Sequence, residues 1–190
     1  MRPVLRSELL DLGAYEEVRE RFRARIIGVK RHRYVALGPA MTLLFENRDT
    51  VLYQVQEMLR TERITSEKAI QHELETYNEL VPGEHELSAT VFVEFPEREE
   101  RERMLVALAG VEDDFYVRIG DERLAVIADQ RGTDPDRTMA VQYVKFPLSS
   151  SAEAALRSGA LVHVGVDHPA YRAEVPLSAE TAASLRDDLE

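Results

Sequence analysis

The chain has 190 residues, 44% of them hydrophobic, no cysteine and a formal charge of −11. That length supports one large domain or two small ones sharing a core, and the missing cysteines exclude disulfides, thiolate nucleophiles and cysteine-held zinc or iron–sulfur centres. The acidic balance argues against nucleic-acid and anionic-membrane partners, because phosphate rewards Lys and Arg.

No apolar run approaches the ~18 residues of a membrane span, and the opening MRPVLRSELL lacks the apolar core of a signal peptide, so a cytoplasmic location is expected. Ser7 is expected to cap a short first helix ending before Gly13. A longer helix from Ala14 to Lys30 then places Tyr15, Val18, Phe22, Ile26 and Val29 on one inward stripe. Up to Arg33 there are nine Lys and Arg against five Asp and Glu, so this part carries +4 and the remainder −15. Its arginines interleave with Glu16, Glu17 and Glu20, the pattern of a solvated or ion-paired helix face. RHRYVAL and AMTLLFE read as strands joined at Gly38-Pro39, a β-hairpin.

Asn47 or Asp49 caps the next helix, which runs to about Thr61. On a helical wheel Val51, Leu52, Val55, Met58 and Leu59 form its apolar side, and Thr50, Tyr53, Gln54, Glu57 and Arg60 the opposite one. Thr65 or Ser66 caps a further helix that turns Ile70, Leu74, Tyr77 and Val81 inward and Lys68, His72, Glu75 and Glu79 outward, ending at Pro82-Gly83.

From Glu84 the pattern changes and recurs. LSATVFVEFP, a charged helix to Gly110, and the hairpin DFYVRI/RLAVIA turning at Gly120-Asp121 make one βαββ unit. TMAVQYVKFP, a helix with a Ser150/Glu153 capping box, and LVHVGV/YRAEV turning at Asp167-His168-Pro169 make a second. A last helix capped by Ser178 packs Ala182, Leu185 and Leu189. The expected fold is α+β: residues 1–83 mainly helical with a hairpin, residues 84–190 two tandem βαββ units forming one antiparallel sheet, the parts sharing a core. The polar loop DQRGTDPDR connects the two units.

Phosphate-loop, dinucleotide, nucleophile-elbow and EF-hand signatures are absent. His72-Glu73 opens like a zinc-protease helix, but position 76, where the second histidine belongs, is Thr. Three readings of the helical pair 47–79 remain. Two of them are a solvated polar face and a binding surface for a partner or small polar ligand, with Arg48 or Arg60 clamping an anion and Tyr53, Gln54 and Asn78 supplying hydrogen bonds. The third is a non-haem site in which Glu57, His72 and Glu75 hold iron or manganese. His163, among valines, reads as a core or edge histidine with one satisfied nitrogen, and His168 as a turn residue.

The segments FENRDTVLYQVQEMLRTERI, HELETYNELVPGE, TVFVEFPEREER, AVQYVKFPL and VGVDHPAYRAEVPLS resemble the bacterial family catalogued as domain of unknown function 3501, over about Leu5 to Leu189. The resemblance implies a setting beside rubrerythrin-like and iron–sulfur redox proteins, in peroxide defence or electron transfer. A cysteine-free chain fits there as an accessory rather than as a redox centre.

The leading expectation is therefore a cytoplasmic accessory or interaction protein presenting Arg48, Tyr53, Gln54, Glu57, Arg60, His72, Glu75 and Asn78. The alternative is a metal-dependent or small-ligand enzyme on the same helices, and the third a homodimer paired through a sheet edge.

Overall fold

The computed structural model describes residues 1–128 and 134–189; residues 129–133, most of the DQRGTDPDR loop, lie outside the described residues. A single 3₁₀ turn at Arg6–Glu8 leads into helix α1 (Leu12–Lys30), strands β1 (Tyr34–Ala36) and β2 (Met41–Glu46), and helices α2 (Arg48–Thr61) and α3 (Glu67–Asn78). Then come β3 (Glu86–Val93), α4 (Arg98–Ala107), β4 (Phe115–Ile119), β5 (Glu122–Ala125) and β6 (Ile127–Ala128). The chain closes with β7 (Val141–Pro147), α5 (Ser150–Arg157), β8 (Val162–His168), β9 (Tyr171–Pro176) and α6 (Ala179–Asp187). The class is α+β.

The strands do not join into the single sheet expected from the sequence. They form two antiparallel sheets, one ordered β1-β2-β3-β7-β6 and the other β5-β4-β8-β9. The leading strand of each βαββ run pairs in the first sheet, where Ala89 lies between Phe45 and Val144. The hairpins that follow pair in the second, where Val117 meets Val164. The reason is burial: stacking two sheets covers the apolar face of both, while one wide sheet would leave the hairpins' valines in water. Phe45, Leu87, Val91, Val117, Phe146 and Val164 are among the residues that fill the space between. The run RLAVIA changes sheets at Val126, its first half pairing with β4 and its last two residues with β7. On the other flank Tyr171 of β9 closes the sandwich, its hydroxyl donating to Leu37 O at 2.6 Å and accepting from the Ala40 N–H at 3.0 Å. Gly38 makes that approach possible: its φ is +74°, and a Cβ there would stand 2.6 Å from the Tyr171 hydroxyl.

The first sheet is covered on its outer face as well. A second apolar cluster built from Val51, Val55, Leu59, Ile70 and Leu74 of α2 and α3 packs with Tyr143 of β7. It is completed by Val4 and Leu9 of the leading segment.

Local signals explain most element ends, with some shifts of position. Asn47 caps α2, Ser66 caps α3 and Ser178 caps α6, each accepting a backbone N–H three residues on. Ser7 caps nothing; Asp11 caps α1, accepting from Ala14 N–H at 2.9 Å, so the helix begins at Leu12 and runs through Gly13. Ser149, one residue before the expected Ser150, caps α5. This frees Glu153 for His85 at 2.5 Å and Arg157 at 2.8 Å. The β8–β9 turn is Pro169-Ala170, because His168 still pairs with Tyr171. His168 is thus a strand residue, buried, its Nδ1 accepting from Ala170 N–H and its Nε2–H donating to Ala109 O at 3.2 Å. His163 lies in β8, its Nδ1 buried and without a hydrogen-bond partner among the described residues.

Candidate functional site

The polar side of α2 does not face solvent, because α1 lies against it. Glu57 accepts Nε–H and Nη2–H of Arg19 at 2.8 Å each and the Tyr15 hydroxyl at 2.6 Å. Arg19 holds the Glu57 carboxyl below the usual range, against the opposing effect of burial. Burial first, and Glu57 second, raise the Tyr15 hydroxyl. Arg60 donates to Glu16 at 2.6 Å, and Arg25 forks onto Asp49 at 2.9 and 3.2 Å. Arg19 and Arg25, two of the four arginines of α1, are therefore ion-pair partners of α2, and Glu16 of α1 takes Arg60.

The remaining predicted residues divide in the same way. Arg48 pairs with Glu8, and Asn78 accepts from Val4 N–H at 2.7 Å while donating to Val4 O at 2.9 Å. These contacts tie down the leading segment. Gln56, not singled out in the sequence, does the same for Leu10 with two hydrogen bonds of 3.0 Å. Tyr53 stands edge-on to Phe22 at 5.8 Å and carries the Lys30 ammonium 5.6 Å above its ring. His72 is exposed, and Glu75 is exposed and takes a hydrogen bond from Gln71 at 2.8 Å. Among the described residues no three His, Asp or Glu side chains gather in a group able to hold a metal, so Glu57, His72 and Glu75 are not brought together.

Between the helical layer and the first sheet lies a partly open cavity of about 200 Å³. Lys30 of α1, Gln54 of α2, Tyr77 of α3 and Leu80 line it from above; Leu44 and Glu46 of β2, Thr90 and Phe92 of β3, and Val141 and Tyr143 of β7 line it from below. Strand alternation sets this floor. Leu43 and Phe45 point into the sandwich, so Leu44 and Glu46 must point at the helices.

Glu46 is only 7% exposed, and both side chains that donate to it are threonines: Thr90 Oγ1–H at 2.6 Å to one oxygen and Thr50 Oγ1–H to the other. A buried carboxylate is ordinarily matched by a cation, since burying an unpaired charge is costly. Here the threonines orient it and leave it without an ion pair among the described residues. Beside it Ser88 Oγ, on the same face of β3, is buried with no partner. Above, Gln54 hydrogen-bonds Tyr77, whose hydroxyl is raised chiefly by burial. The arrangement can hold a small molecule with a positive group at its floor and directed hydrogen bonds at its roof. Of the residues expected from sequence, only Gln54 lines it. Glu46 escaped notice because its character comes from the helices laid over it, and the one local signal is a carboxylate ending an apolar strand.

No curated protein matches the chain at a significant level. Among solved structures, it is similar to a crystal structure of a novel protein of unknown function from Burkholderia pseudomallei, with 38% sequence identity, a TM-score of 0.94 and complete coverage of both chains. Residues 3–189 match the model of the family described as protein of unknown function DUF3501. The chain belongs to that family.

Proposed function

We propose that the chain is a binding protein that takes one small, positively charged ligand into the cavity between its helical layer and its first sheet. The observation that carries this reading is Glu46: a carboxylate 7% exposed, oriented by two threonine hydroxyls and facing a cavity rather than a cation. In the redox setting that the family resemblance implies, such a module serves as an accessory that responds to a small metabolite. Partners of rubrerythrin or iron–sulfur type belong to that setting and rest on the resemblance.

The test is calorimetric titration of the purified protein with a panel of small amines and amino acids, on wild type and Glu46→Gln. The expected result is saturable one-to-one binding that weakens roughly tenfold or more in the variant, about 1.4 kcal/mol or above. Equal binding by both proteins would remove Glu46 from the site and sink the proposal.

A further inference from the structure

Two opposite charges line the same cavity without pairing. Glu46 lies at the floor with its carboxylate accepting from two threonine hydroxyls, while Lys30, in the last turn of α1, has its ammonium over the Tyr53 ring at 5.6 Å. No ion pair joins either of them to another side chain among the described residues. Lys30 is instead held over the Tyr53 ring by a cation–π contact, which fixes its position without neutralising its charge. A side-chain amide and a phenol, Gln54 and Tyr77, bonded to each other, line the same cavity. The walls beside them are apolar, from Leu44, Leu80, Phe92 and Val141.

That layout is selective by charge. A dianionic phosphate would meet Glu46, a diamine would meet Lys30, and an uncharged ligand would leave both charges unmatched. A molecule with a positive group at one end and a negative group at the other matches both. Size narrows the class further. At about 200 Å³ the cavity lies below the roughly 300–1,000 Å³ of pockets for drug-sized ligands, so it suits a small molecule. That is the scale of an α-amino acid with a short side chain, or of a betaine.

We infer that the cavity takes a small zwitterion of the amino-acid class, its ammonium against Glu46 and its carboxylate toward Lys30. This inference rests on the binding reading above and adds to it the negative end of the ligand and the residue that recognises it. Gln54 and Tyr77 hold the middle of the molecule, and the apolar walls limit its side chain.

The experiment pairs each zwitterion with the amine lacking its carboxylate: L-alanine with ethylamine, L-serine with ethanolamine, L-proline with pyrrolidine, and glycine betaine with tetramethylammonium. Each is titrated into wild type, Lys30→Met and Glu46→Gln, with thermal melts checking that the variants fold and Lys30→Gln replacing Lys30→Met if it does not. In wild type at least one zwitterion is expected to bind with a Kd roughly tenfold or more below that of its matched amine, the step that ~1.4 kcal/mol represents. Lys30→Met should erase that preference while leaving amine affinity nearly unchanged, and Glu46→Gln should weaken both members of the pair. Amines binding as tightly as zwitterions in wild type, or a preference surviving Lys30→Met, would overturn the zwitterion assignment and leave cation binding standing. No binding by any member of the set would overturn both.

Discussion

Arg19 grips Glu57 with two parallel hydrogen bonds of 2.8 Å, joining the second turn of α1 to the middle of α2. This fork converts the most reactive-looking face of α2 into a helix–helix contact. The cavity lies one layer further in, between the helices and the first sheet.

Glu57→Gln should destabilise the protein by about 1.5–3 kcal/mol at neutral pH, the range for hydrogen bonds to a charged group. Both side chains are only about a fifth exposed, 22% for Arg19 and 21% for Glu57, so solvent screens the pair weakly. Because Arg19 holds the folded-state value of Glu57 below its unfolded value, the contribution is complete above roughly pH 4.3 and is lost as the pH falls through the folded value. Urea unfolding of wild type and variant should therefore differ at pH 7 and converge in acid.

Gln56 and Asn78 latch the leading segment by pairing their amides with the backbone of Leu10 and Val4. Each alanine replacement should cost about 1–3 kcal/mol, since two partly buried backbone groups lose their partners. Hydrogen exchange should show the Leu10 amide accelerating in Gln56→Ala and the Val4 amide in Asn78→Ala.

Arg33 is 1% exposed and joins the end of β2 to α6, reaching the carbonyls of Phe45, Glu46 and Ser184 and the Asp188 carboxylate at 2.5 Å. Arg33→Met should cost about 3–5 kcal/mol, because it strands a buried charge. Burial, opposed by Arg33, keeps the Asp188 carboxyl above its usual range. A raised folded value means its contribution is present at acid pH and lost as the pH rises through that value. Asp188→Asn, which spares the three carbonyl bonds, should therefore cost less than Arg33→Met in the same unfolding assay at neutral pH.

His72 and Glu75 are exposed and lie away from the cavity lining. The double change His72→Ala with Glu75→Ala should leave stability within about 0.5 kcal/mol, as surface substitutions do. Ligand titration should give the wild-type curve.

The parts of the fold written in local chemistry were legible from sequence. Asn47, Ser66 and Ser178 cap as expected, the Gly38-Pro39 turn joins a hairpin, and the apolar stripes of α1 to α3 face the core. Two things were not. Period-two alternation in β3 and β4 is the same whether their strands share a sheet or stack as two, so only burial of both apolar faces decides it. A helical wheel likewise separates polar from apolar but not solvent from partner. Glu57 and Arg60 look available until Arg19 and Glu16 are laid against them. Glu46 and Lys30 are ordinary residues in the chain, and they line one cavity only because the fold brings the end of α1 to the outer side of β2.

On the binding proposal, Glu46 is the charged floor of a ligand site. The most direct measurement is side-by-side calorimetry of wild type and Glu46→Gln with the matched zwitterions and amines. One saturable site in wild type, weakened roughly tenfold or more in the variant at unchanged melting temperature, is the predicted result. Identical heats in the two proteins, or no saturable binding in wild type, would contradict it.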